Sequence, residues 1–155
     1  MAELSPELAT QLSAWRTQGQ VVVFTNGVFD LLHPGHIAQL EAARSFGDVL
    51  VVGLNSDNSA RALGKGIDRP VQNDLSRLIV LGALRAVDAV ALFDEPTPLE
   101  LIKLIKPDVL VKGADYGRDE VVGREVVEAS GGRVELVPLV KGYSTSAIID
   151  RIRGG

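Results

Sequence analysis

The chain has 155 residues, of which 46% are hydrophobic and 23% charged, and it carries a net charge of −4. That length suits one domain with a sizeable core, and the composition is that of an ordinary soluble protein. No apolar run is long enough to cross a bilayer, no basic run suggests a nucleic-acid partner, and the absence of cysteine excludes disulfides and thiolate metal sites.

Met1-Ala2-Glu3 opens acidic, with no basic or long apolar segment behind it, so no signal peptide is expected and a cytoplasmic location is the default. Ser5-Pro6-Glu7 reads as a helix start: a serine cap, proline at the first position, an acid in the first turn. Leu8, Leu12 and Trp15 give that helix an apolar stripe, and Gly19 ends it. Residues 1–19 are therefore expected as an N-terminal helix and 20–155 as the main body of a single domain. Residues 21–25 form a first buried strand and 34–46 a first core helix. Gly47-Asp48 turns the chain into a second apolar strand, 49–54, which ends at the polar cluster Asn55-Ser56-Asp57.

Residues 59–72 differ in character. Arg61, Gly64-Lys65-Gly66 and Asp68-Arg69-Pro70 make a basic, glycine-broken loop. It reads either as a plain solvated loop or as a mobile lid over an anionic substrate. Asn73-Asp74 caps a helix that carries Leu75, Leu78, Ile79, Leu81 and Leu84, with Arg77 inside it. A third strand is expected over 87–93. Thr97-Pro98-Leu99-Glu100 reads as a capping box opening a short helix. Pro107-Asp108 breaks that helix before a fourth strand, 109–111, which runs into Lys112-Gly113-Ala114-Asp115-Tyr116-Gly117. A helix over 121–129, closed by Gly131-Gly132, leads to a fifth strand, 134–139. Gly142-Tyr143-Ser144-Thr145-Ser146 then opens a last helix with Ala147, Ile148, Ile149 and Ile152.

Strands alternate with helices, and the strands are continuous apolar runs. This predicts an α/β, Rossmann-like, doubly wound parallel sheet of five strands with helices on both faces. Ligands of such sheets bind at the carboxyl ends of the strands, where strand order switches. Residues 25–36, 55–57, 112–116 and 143–145 each follow a strand, so four polar clusters fall where that rule wants them.

The first cluster carries the chemistry. After the apolar run 21–24 comes Thr-Asn-Gly-Val-Phe-Asp-Leu-Leu-His-Pro-Gly-His, residues 25–36. With Pro34 at the first helical position, His33 is the cap and His36 sits one turn on, so both imidazoles share a face. A helix start also offers free N–H groups and the positive end of the dipole to a phosphate. A histidine is more often a cap or a packed side chain than a catalyst. Here both histidines of the chain fall in one four-residue window, which favours a polyphosphate site. Neither a P-loop nor a dinucleotide fingerprint is present.

Gly27, Phe29, Asp30, His33, Gly35 and His36 match Gly-x-Phe-Asp-x-x-His-x-Gly-His. The chain thereby resembles the nucleotidyltransferase superfamily with the His-x-Gly-His signature, and the resemblance extends over nearly all of residues 20–153. Tyr143-Ser144-Thr145-Ser146 resembles that superfamily's second signature, at the start of the final helix, where it grips the β- and γ-phosphates. The arginine that some cytidylyltransferases carry before this serine is missing from Leu139-Val140-Lys141-Gly142. The Val-Gly-Leu-Asn-Ser-Asp, Lys-Gly-x-x-Arg-Pro and Val-Lys-Gly-Ala-Asp-Tyr segments further resemble the branch that adenylates D-glycero-D-manno-heptose 1-phosphate for lipopolysaccharide. Val28 stands where that branch often has cysteine. Members of that branch often follow a sugar kinase domain, for which 155 residues leave no room, so a stand-alone form is expected.

The resemblance implies transfer of AMP from ATP to a sugar 1-phosphate, with pyrophosphate released. It implies His33, His36 and Lys65 as catalytic residues. Asn26, Gly27, Val28, Phe29, Lys112, Gly113, Asp115, Tyr116, Tyr143, Ser144 and Thr145 would join the histidines in holding the nucleotide, the Lys112–Tyr116 loop reading the base. Asp30, Asn55, Asp57, Lys65, Arg69 and Arg77 would meet the acceptor, with orientation of Lys65 as the alternative role for Asp30. Mg²⁺ would bridge the departing phosphates with no protein cage of its own, and a homodimer is implied, with neither nucleic acid nor membrane as partner. A transferase making CDP-glycerol or FAD, and a non-catalytic nucleotide-binding module, are the alternatives.

Overall fold

The structure is a computed structural model of the chain; it describes residues 2–115, 117 and 120–154. Five parallel strands form one sheet in the order β3-β2-β1-β4-β5: β1 (Val22–Gly27), β2 (Val49–Asn55), β3 (Ala89–Phe93), β4 (Val109–Gly113) and β5 (Arg133–Val137). The helices are α1 (Pro6–Thr17), α2 (Pro34–Arg44), α3 (Asp57–Arg61), α4 (Asp74–Gly82), α5 (Leu99–Ile105), α6 (Arg124–Ala129) and α7 (Thr145–Ile152).

The strands read as unbroken apolar runs because both faces of the sheet are covered. Successive side chains point to opposite faces. Val22, Phe24 and Leu110 pack with Leu8 and Leu12 of α1 and with Leu101, Ile102 and Ile105 of α5. Val23, Val109 and Val111 pack on the other side with Leu40 and Ala43 of α2 and Leu81 of α4. Each face removes its apolar side chains from water at roughly 25 cal/mol per Å².

The chain works outward from β1 to β2 and β3, then crosses back to add β4 and β5. The switch therefore falls between β1 and β4. Those two strands pair only at Val23 with Val109 and Phe24 with Leu110. Beyond Leu110 they part, and side chains bridge the gap: Thr25 Oγ1 donates to the Val111 carbonyl at 2.9 Å, and Lys112 Nζ to Asn26 Oδ1 at 3.0 Å. The crevice opened by this parting lies beside the histidine motif.

Several boundaries differ from the sequence reading. β1 runs two residues further, to Gly27, because β2 pairs with it along that length. Residues 57–61 form a short helix, where a loop was expected; Ser56 Oγ caps it by accepting from the Ser59 N–H. The capping box at 97–100 does not form. Pro98 occupies the cap position without a side-chain bond, and Glu100 pairs instead with Lys103 at 2.8 Å. The helix expected over 121–129 begins only at Arg124, since Gly123 has φ +89° and a Cβ there would meet Ile102 at 2.6 Å. The fifth strand ends at Val137, ahead of Pro138, which has no N–H for a ladder bond.

Candidate active site

The loop after β1 carries the histidines into the mouth of the crevice. His33 caps α2, its Nδ1 accepting from the Gly35 N–H at 3.1 Å. That bond leaves the proton of the neutral ring on Nε2, so His33 presents a donor from that atom. His36 stacks on His33 with ring centroids 3.8 Å apart and 22° between planes. Phe29 closes the far side of His36 at 5.3 Å, and Tyr143 flanks His33 at 6.1 Å. Four rings thus form a column from the β1 loop to the α7 loop. Gly35 is required beside it, because a Cβ at that position would lie 2.9 Å from the His33 ring and 3.2 Å from Tyr143.

Burial lowers the affinity of both rings for protons. His36 is pushed from 6.5 down to about 4, first by desolvation and then by the positive charge of His33 and Lys65. His33 is lowered by burial alone. Both are neutral near pH 7. The Nδ1 of His36 is buried without a hydrogen-bond partner.

The column lines a cavity of about 560 Å³, the size of a small-molecule site. Asn26, Gly27, Val28 and Asp30 line it together with Ser144, Thr145 and Ser146 and with Lys65 and Arg69, whose Nη1 donates to Ser146 Oγ at 3.3 Å. The N-termini of α2 and α7 both open onto it. Ser144 Oγ accepts from the Ala147 N–H and keeps its own proton to give; the Thr145 hydroxyl instead donates to the Leu31 carbonyl at 3.1 Å, leaving its main-chain N–H for a ligand.

A second cavity of about 270 Å³ adjoins the first, and Asn26, Gly27, Val28 and Lys65 line both. Asn55, Thr97, Lys112 and Glu120 supply further polar groups to the smaller one, beside the apolar Leu63, Pro96, Pro98 and Val122. Burial lowers the Lys112 ammonium, and Asp115 partly opposes this.

The structure thus gathers His33, His36, Lys65, Arg69 and residues 26–30 and 143–145 around one cavity, but it moves other expected residues. Lys112 lines the smaller cavity rather than the larger one. Gly113 and Asp115 line neither, and Tyr116 lies outside the described residues. Residues 138–142 close the larger cavity where a base-reading loop was expected from 112–116. Arg77 is a correction of another kind. Its side chain is 0% exposed, and it donates to the carbonyls of Gln72, Val28 and Asn55 and to Asp57 Oδ1. Four of its five N–H groups are spent on protein acceptors, and its enclosure keeps the side chain from an acceptor substrate. Asp57, its partner, lines neither cavity. Asp30 is likewise engaged by protein donors, and Asn55 donates to Ser59 Oγ at 2.9 Å while facing the smaller cavity. Residues 96–98 and 138–142 were missed as site residues. Both follow strands, so the strand-end rule points to them, although Thr97-Pro98 also reads as a helix start.

Among the described residues no group of three or more histidine, aspartate or glutamate side chains could hold a metal ion. The acid at the larger cavity, Asp30, already accepts three hydrogen bonds. The donor set does not fit a protein-held Mg²⁺.

Paired imidazoles at the switch point of a parallel sheet, with Lys65 and Arg69 lining the same cavity, define a nucleotide-binding α/β domain built for phosphate chemistry. The cytidylyltransferase-like family matches residues 24–151, and the chain belongs to that family, one of nucleotidyltransferases. It is 59% identical over 147 residues to the bifunctional protein HldE of Bradyrhizobium sp. (strain ORS 278), covering 95% of this chain and 30% of that protein. It is 57% identical over 148 residues to the bifunctional protein HldE of Geotalea uraniireducens (strain Rf4), covering 96% of this chain and again 30% of the relative. The chain thus spans about 30% of the length of these relatives. Among solved structures it is similar to a lipopolysaccharide core biosynthesis protein from Thermoplasma volcanium GSS1. The TM-score is 0.66 and the identity 34%, over 81% of this chain and 100% of that one. No helix of the described residues is long and apolar enough to cross a membrane.

Proposed function

We propose that this domain transfers AMP from ATP to heptose 1-phosphate, giving ADP-heptose and pyrophosphate for lipopolysaccharide core synthesis. The observation that carries the reading is the stacked His33–His36 pair at the start of α2, lining with Lys65 one cavity of about 560 Å³. The extensive identity to HldE proteins and the likeness to a lipopolysaccharide core biosynthesis protein support the sugar assignment.

In this reading the triphosphate lies across the two helix starts. His33 and His36 donate to the α- and β-phosphates, and Ser144 with the Thr145 N–H holds the outer ones. The base lies against residues 138–142. The acceptor occupies the smaller cavity, with Asn55, Thr97 and Glu120 available to its hydroxyls. Its phosphate then reaches the α-phosphorus past Lys65, which lines both cavities. An acceptor oxygen forms its bond to the α-phosphorus as the bond to the β-phosphate oxygen breaks. The acceptor phosphate is already anionic, so no general base is needed. Positioned cations and N–H donors stabilise the charge that develops. Mg²⁺ enters as a companion of the triphosphate, and no step is assigned to it.

The test is pyrophosphate release by the pure protein with ATP, CTP or GTP against both anomers of heptose 1-phosphate. ATP with one anomer should turn over. His36→Ala and Lys65→Ala should each lower kcat on the order of a hundredfold. Release with CTP and glycerol 3-phosphate instead, or normal turnover by both variants, would overturn the assignment.

The same resemblance leads us to propose a homodimer. α4 turns Leu75, Ile79 and Val80 to solvent, and Ile152 of α7 stands nearby across a groove lined by Val80, Ile148 and Ile152. A second copy would cover this face.

A further inference from the structure

Lys65 stands between Gly64 (φ +70°) and Gly66 (φ +136°), on the segment between α3 and α4 that reaches both cavities. Glycines on both sides leave the lysine many positions. Charge stabilisation at a reacting phosphorus demands one. The segment is held at its root. The Asp30 carboxylate is 1% exposed and accepts from the Val71 N–H at 2.8 Å, the Gln72 N–H at 3.0 Å and Arg69 Nε at 3.1 Å. The carbonyl of the same Gln72 accepts from Arg77 Nε at 2.9 Å, so that residue is gripped through both its N–H and its C=O. Arg77 then ties the grip to the β1 loop through the Val28 carbonyl at 2.9 Å.

We infer that Asp30, with Arg77 behind it, is a positioning residue that anchors the root of the Lys65 lid to the loop carrying His33 and His36. A carboxylate so enclosed, with three protein donors on its two oxygens, has its oxygens engaged by the protein although the residue lines the cavity, and it is no base for the reaction. Its work is mechanical: lid and histidine loop keep one register, so the cation and the imidazoles meet the same phosphorus. This inference rests on the role proposed above for Lys65.

A double-mutant cycle reads it. Asp30→Asn, which keeps the shape and loses the charge, should lower kcat about tenfold or more while KM for both substrates changes less than about threefold. In a Lys65→Ala background the same substitution should cost less than about twofold, because a misplaced lid matters little once its cation is gone. Tryptic cleavage after Lys65, measured without substrate, should speed up in Asp30→Asn while the melting temperature stays within a few degrees. A loss of kcat that is undiminished in the Lys65→Ala background, or a rise in KM with kcat unchanged, overturns the inference, as does unaltered cleavage. Should Asp30→Asn fail to fold, Arg77→Lys enters the same cycle, with the same expected non-additivity and the same overturning result. The cleavage arm needs no turnover, so an error in the proposed substrate shows as inactivity of the unmodified protein and leaves this arm readable.

Discussion

The His36 ring owes its neutrality to its neighbours: it is half-buried against His33 and Phe29, within the field of Lys65. Its proton affinity in the fold lies near pH 4, against 6.5 for a free imidazole. The unfolded chain therefore binds more protons between these values, and stability must rise with pH across that window. We expect unfolding free energy to be flat above pH 7 as far as this group is concerned. It should fall by about 1 kcal/mol as pH drops from 6.5 to 4, a value reduced because much of the ring meets solvent, and level off below. Urea unfolding of His36→Asn across that range should lose this part of the slope. A variant with the unaltered pH dependence would show that other groups carry it.

At the scale of the element, the strands are aligned by acids that precede them. Asp48, Asp88 and Asp108 each stand just before a strand, and each accepts from the first N–H groups of a neighbouring one. Asp48 takes Val21, Asp88 takes Leu50, and Asp108 takes Val22, at 2.7, 2.7 and 2.8 Å. Parallel strands have no hairpin to set their register, and these bonds supply a fixed point at the end opposite the site. Asp108 matters most, since β1 and β4 share only two paired residues. Asp108→Ala should lower the free energy of unfolding by about 1 kcal/mol, seen as a shift of the urea midpoint with unchanged slope.

For the whole molecule, the proposed dimer rests on the exposed face of α4 and α7. Leu75 and Ile79 are 64% and 62% exposed, and Ile152 is 75% exposed. Sedimentation should give a dimer at micromolar concentration. Ile79→Glu, which buries a charge in the proposed contact, should shift the protein to monomer while leaving its melting cooperative. A protein that sediments as a monomer at every concentration rejects the contact.

The order of elements and the parallel sheet were legible in the residues because burial on both faces demands unbroken apolar strands, and capping residues mark where helices begin. The histidine site was legible for a related reason: its parts lie within one turn of chain, so local geometry alone brings His33 and His36 together. Roles that depend on contacts between distant segments were not legible. Arg77 reads as a substrate contact, and Asp30 either as one or as a group that orients Lys65, because a charge in a site loop resembles any other until its neighbours are known. Only the fold shows Arg77 wholly enclosed and Asp30 spent on the main chain of residues 71 and 72. The two cavities that share Lys65 and the parting of β1 and β4 after two paired residues likewise depend on packing across the sheet and are written in no local run of sequence.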